Sequence, residues 1–214
     1  MSQPSTKVSR LAEKQSTSRE RLDELLDATP LATIALIRDD HPVIFPIGCA
    51  RIDDELVIHG STGSPWLRQL AGGAAAAVSV TALAGVLVAR SGFESSFQFR
   101  SAVLFGTFEV VPEADKVGYL ETLTDAFIPG RVAELRSSTA RELAATLVLR
   151  LATGPENWSL KIGDGWPEDG EEDVAAGGWA GVVPIVTTYG SPLRAPDCDP
   201  AIVVPPSVRS MTGL

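Results

Sequence analysis

The chain has 214 residues, 44% of them hydrophobic and 21% charged, with a net charge of −9. That balance is the balance of a globular protein. The acidic surplus argues against nucleic acid and against an anionic membrane surface, since both need excess Lys and Arg. No apolar run is long enough to span a bilayer, and two widely separated cysteines, Cys49 and Cys198, suit a reducing cytoplasm better than a disulfide framework.

In chain order, residues 1–16 are polar without an apolar face and read as a flexible arm. Thr17-Ser18-Arg19-Glu20 has the form of a capping box, with Leu22, Leu25 and Leu26 on one helical face before Pro30. Residues 31–37 read as a buried strand, 38–42 as a turn containing His41, and 43–51 as a strand with an edge or bulge at Pro46 and Gly48. A third strand ends at His59 and leads into the small-residue loop Gly60-Ser61-Thr62-Gly63. Ser64 then stands at an N-cap position and Pro65 at the first helical position. Such a loop aims backbone N–H groups at one point ahead of a helix, which suits a phosphate. An ordinary strand-to-helix connection has the same composition.

Residues 74–83 form a strand of small residues, and 85–89 continue the sheet. Residues 90–98 break the pattern, and 99–111 alternate as one long strand with Gly106 at a bulge. Pro112 opens a helix with Val117, Leu120, Leu123, Thr124 and Phe127 inward, stopped by Pro129-Gly130. Thr139-Ala140-Arg141-Glu142 is a second capping box. Residues 146–151, 158–162 and 179–189 read as strands, the acidic run 164–173 as a solvated loop, and the five-proline stretch from Gly190 as extended chain. The domain boundaries expected are the arm at 1–16, one domain over 17–190 and a tail over 191–214. The class is mainly β with peripheral helices, largely antiparallel and closing into a barrel.

Candidate chemistry is sparse. His59 suits phosphate donation, acid/base work or ligation of a haem iron; Glu94 is the carboxylate placed to act as a base. Arg100, between Phe99 and Ser101, suits an anion, and Cys49 reads as a small core residue. No metal site is expected.

Taken together, IHGSTGSPWLRQLA, VLVARSGF, FRSAVLFGTFEVV, KIGDGWPEDGEED and WAGVVP occur in an order and spacing that resembles the pyridoxamine 5′-phosphate oxidase-related flavin-binding proteins, close to the nitroimidazole-resistance group. The resemblance implies a split β-barrel homodimer that binds FMN at the subunit interface. It also implies that His59, Gly60, Ser61, Thr62 and Ser64 meet the FMN phosphate, with Arg68 or Arg100 as counter-charge. Pro46 and Ile47 would lie along the ring, and Phe99, Arg100, Ser101 and Trp179 would close the site. Relatives place an Arg at Pro65, a hydroxyl residue at Ile47, Tyr at Cys49 and Phe99, and His near Glu94 and Ser95. Those departures keep a second reading open: a cofactor-independent cyclase, isomerase or lyase acting on a hydrophobic small molecule through Glu94 or His59. A haem protein with His59 as axial ligand is a third.

Overall fold

The computed structural model describes residues 5–8 and 10–213. The expected arm therefore lies partly outside the described residues; its last part forms a 3₁₀ turn, Ala12–Lys14, and a short strand β1, Gln15–Ser16. The contacts divide the chain into two units. The first holds the residues up to Ile47 with Ala75–Gly106 and Thr153–Val186; the second holds Gly48–Ala74, Thr107–Ala152 and Thr187–Leu214.

In the first unit, helix α1 spans Arg19–Ala28. Its N-cap is Ser18, one residue after the expected Thr17, with Ser18 Oγ accepting from Arg21 N. Leu22, Leu25 and Leu26 are buried, as the helical spacing requires. Strands β2 (Leu31–Arg38) and β3 (His41–Ile52) join through Asp39-Asp40, both at positive φ (49° and 60°). Asp tolerates that conformation, and two such residues in succession make a tight hairpin turn. Strand β3 runs without interruption through Pro46 and passes from the first unit into the second.

The stretches expected as two strands at 74–83 and 85–89 form one, β5, Ala75–Val88. Strand β6 is Ser96–Thr107, β9 is Trp158–Gly163 and β10 is Gly181–Pro184. The order is β1-β9-β6-β5-β2, with β10 also on β5. The pairs β1–β9, β6–β9, β2–β5 and β5–β10 are antiparallel. Buried Ile34, Val78, Val80, Ala102, Leu104 and Leu160 form the core face of this sheet.

In the second unit, the end of β3 pairs antiparallel with β4 (Glu55–Ser61), β4 with β8 (Thr146–Ala152), and β8 with β7 (Glu109–Val110). Helix α3, Lys116–Phe127, packs over one side, where Ala50, Val57, Val111, Leu123 and Val148 form a buried cluster. Tyr119 Oη donates to Glu55 Oε2 (2.7 Å), and Arg150 pairs with Glu55 (3.1 Å) and Glu109 (3.2 Å), fastening α3 to the sheet. Helices α2 (Pro65–Ala71), α4 (Ala140–Ala145) and α6 (Pro206–Thr212) belong here, and α5 (Glu171–Ala176) to the first unit.

Several expectations are corrected. The strand order runs on from β2 through β3 to β4, and its two ends, β1 and β7, do not pair among the described residues, so the sheet does not close on itself; the barrel is a split one. The long strand over 99–111 breaks at Phe108, whose side chain turns into the core (3% exposed). The helix after Pro112 begins only at Lys116, because Pro112 O accepts from Asp115 N and Lys116 N in a preceding turn; Val117 consequently faces outward. The last strand covers only 181–184 of the expected 179–189. The tail carries helix α6, whose Ser207 N and Oγ donate to Glu134 at 3.0 and 2.6 Å. The acidic run is not uniformly solvated. Asp169 accepts from Arg90 N (2.7 Å) and Arg90 Nη1 (2.9 Å), with its side chain 2% exposed.

Helix α2 lies so close to β4 that a Cβ on Gly60 would stand 2.5 Å from Leu67 Cδ1. Leu67 is itself buried, so it has no open space to swing into. Gly60→Ala is expected to destabilise the protein by about 1–3 kcal/mol, and adding Leu67→Ala should remove the clash; thermal melts of the single and double variants check both. Asp169→Ala strips two charge-assisted hydrogen bonds from Arg90 and should cost about 2 kcal/mol, with proteolysis at 164–173 becoming faster as its local readout.

Candidate functional site

The loop after β4 spends its N–H groups inside the protein. Thr62 N donates to Ala145 O (3.0 Å), Gly63 N to Ser61 Oγ (3.1 Å) and Ser64 N to Ser61 O (3.0 Å). Thr62 Oγ1 donates to Ala145 O as well (3.3 Å). Ser64 is the N-cap of α2 by backbone conformation, yet its hydroxyl makes no capping bond. The loop therefore offers an anion the Ser61 and Ser64 hydroxyls, and beside them Arg68, which is exposed and has no partner among the described residues. Gly60 has a packing reason of its own in Leu67.

His59 stands one residue before that loop, opposite Val148 of β8. On β3, pairing with β4 reaches Cys49↔Ile58, and the residue preceding Cys49 is Gly48, which has no side chain to fill the neighbouring space. Burial lowers the His59 pKa, so the imidazole is neutral near pH 7. Its Nδ1 is buried without a hydrogen-bond partner among the described residues. Unsatisfied buried polar atoms are rare and costly, and a neutral imidazole is a ligand group. Cys49 is fully buried, and burial pushes its thiol up to about 12; it is a core thiol and not a nucleophile. His41 is exposed in the hairpin.

The remaining expected residues belong to the first unit. Pro46 is exposed and Ile47 half-buried on β3. Glu94 sits in a tight turn whose N–H donates to Ser91 Oγ (3.2 Å), while Ser95 Oγ donates to Ser91 O (2.8 Å); the Glu94 carboxylate has no partner among the described residues. Glu94 and His59, expected as alternative acid/base groups, thus fall in different units. Trp179 is 66% exposed, with its ring over Gly181, where a Cβ would stand 2.9 Å from it.

Phe99, Arg100 and Ser101 are consecutive on β6, and a strand turns alternate side chains to opposite faces. Arg100 shares the face of buried Ala102 and Leu104, whereas Phe99 and Ser101 share the other. The three cannot line one ligand side by side. On the Phe99 face, Ser101 Oγ shares a hydrogen bond with Thr81 Oγ1 (3.0 Å), and the Phe99 ring rests against Gly163. Directly opposite Ser101 on β9 is Lys161, which the sequence reading passed over. The alternation Leu160-Lys161-Ile162 in a short apolar strand was its available signal. No group of three or more metal-ligating side chains occurs among the described residues, and no helix there is long and apolar enough to cross a membrane.

Against known proteins, residues 18–155 match the family profile described as pyridoxamine 5′-phosphate oxidase. A solved FAD and heme binding protein from Mycobacterium smegmatis is 71% identical, with 93% of this chain and 97% of that one aligned at a TM-score of 0.91. The flavocytochrome Anf3 from Azotobacter vinelandii is 32% identical, over 95% of this chain and 94% of that one, at a TM-score of 0.88. A protein described as a 5-nitroimidazole antibiotic resistance protein from Bacteroides thetaiotaomicron shares the fold, at 12% identity, 69% and 86% coverage and a TM-score of 0.57. No curated protein matches the chain. With the matched region covering well over half of its length, the chain belongs to the pyridoxamine 5′-phosphate oxidase family.

Proposed function

We propose that this protein is a redox protein holding two cofactors, a flavin and a haem. The relative at 71% identity is described as binding FAD and heme, and the one at 32% as a flavocytochrome. On that ground FAD is the flavin proposed, in place of the FMN expected from the sequence. The observation in this chain that carries the haem is the buried, unpartnered Nδ1 of neutral His59. His59 would be the residue to hold the haem iron. For the flavin, Phe99 and Ser101, on one face of the first unit's sheet, offer an aromatic surface with a polar edge. The flavin would supply hydride chemistry with a small molecule and the haem single-electron chemistry. The protein's own work would be to bind, orient and exclude water from both.

A homodimer is the assembly proposed. Leu193 and Val203 of the second unit are 96% and 75% exposed in the single chain, apolar side chains that suit burial against a second copy. Nothing in the comparisons favours the cofactor-independent cyclase or lyase.

The protein purified after supply of both cofactors should show flavin absorption together with a Soret band, and heat denaturation should release FAD, identified by chromatography against FMN. His59→Ala is expected to lose the Soret band while keeping the flavin. A preparation that releases no flavin would refute the proposal, and a Soret band unchanged in His59→Ala would move the haem to another ligand.

A further inference from the structure

We propose that Lys161 is the cation that sets the electronic character of the bound flavin; this rests on the flavin reading above. Three observations converge on it. First, Lys161 is half-buried on β9 between two hydrogen-bonded neighbours, Gln15 of β1 and Ser101 of β6, and its ammonium has no ion pair or hydrogen bond among the described residues. A half-buried charge without a counter-charge is costly unless something else supplies one. Gln15 is uncharged, and its side chain is engaged elsewhere, donating to Thr6 O (3.0 Å) and accepting from Val8 N (3.0 Å).

Second, the surface beside Lys161 carries an aromatic ring and hydroxyls. Lys161 and Gly163 lie opposite Ser101 and Phe99, and the four share one face of the sheet. The Phe99 ring lies against Gly163, and Ser101 is paired with Thr81. The residues beyond, Ser79 and Thr33, are small and themselves paired across β5 and β2. An aromatic ring, two hydroxyls and one ammonium, with Phe97 and Val103 on the same face of β6, fit a planar molecule with an anionic edge. The reduced flavin ring is such a molecule, because its pyrimidine end takes up negative charge.

Third, the obvious rival is turned away. Arg100 is also half-buried and has no ion pair or hydrogen bond among the described residues, but strand alternation puts it on the face of Ala102 and Leu104. Of the two cations, Lys161 is the one on the side of Phe99 and Ser101.

The test uses the purified holoprotein, Lys161→Met and Lys161→Arg, with flavin content, flavin midpoint potential and sulfite affinity as readouts. Sulfite adds to oxidised flavin through its sulfur lone pair, and the ring takes the negative charge, so its affinity reports a cation near the pyrimidine end. Lys161→Met should keep the flavin, bind sulfite on the order of tenfold more weakly and shift the potential to more negative values. Lys161→Arg should restore both. Loss of flavin from Lys161→Met but not from Lys161→Arg also supports the contact, since the charge is then needed for binding. Unchanged sulfite affinity and potential in a flavin-loaded Lys161→Met would overturn the proposal and leave the flavin reading intact. Loss of flavin from both variants would overturn it too, as the mark of a merely structural lysine. A wild-type protein without flavin would overturn the flavin reading itself.

Discussion

The approach of helix α2 to strand β4 is the constraint on which the rest of the second unit depends. It exists because residue 60 has no side chain, so that Leu67 seats against the backbone of the strand. With the helix that close, only Ser61 to Ser64 remain to make the connection, and they fold tightly. Ser61 accepts from both Gly63 and Ser64, and Thr62 turns its N–H to Ala145 ahead of β8. The same tightness decides what the loop can do. Backbone donors that close the loop on itself are no longer offered to an anion, so charge recognition there falls to side chains. It also holds His59 near the end of a fully paired strand, β4 to β8, with an imidazole nitrogen that has no hydrogen-bond partner among the described residues.

Local signals in the sequence were legible where the physics is local. Ser64-Pro65 starts α2, and Thr139 with Glu142 forms a complete capping box ahead of α4, as the spacing of those residues requires. The buried face of α1 follows from three leucines at helical spacing. What was not legible depends on partners far along the chain. Asp169 reads as one carboxylate among six until Arg90, 79 residues earlier, is brought to it. Phe108 sits in an unbroken alternating run and breaks it only because the core needs the ring. The tail reads as extended by its prolines, yet Pro205-Pro206 starts α6, a helix held at Glu134 by Ser207. Proline at a first helical turn and proline in an extended chain are the same residue in sequence.

The expected site residues show the same division. His59 to Ser64 are contiguous, and the structure keeps them together because the chain does. Phe99, Arg100 and Ser101 are also contiguous, and for that reason the structure separates them, since a regular strand sends neighbours to opposite faces. Contiguity in sequence makes a site in a loop and divides one in a strand. The residue that completes the Phe99 face comes from the paired strand, at a register position that only the fold supplies.

Charge distribution ties these points together. With 27 acidic and 18 basic residues, an excess of carboxylates is available to every cation. Many cations have found one: Arg19 with Asp23, Arg90 with Asp169, Arg131 with Glu134, Arg136 with Glu142, and Arg150 with both Glu55 and Glu109. Exposed lysines and arginines without partners need no account, because water solvates them and surface pairs are worth little. Arg100 and Lys161 are different, because each is half-buried in a sheet and has no ion pair among the described residues. Partial burial raises the cost of an uncompensated charge, and nearby carboxylates would have been the ready remedy. Their absence at these two positions leaves room for a negative group from outside the chain, which is what an acidic protein must arrange if it is to hold an anionic cofactor against its own net charge.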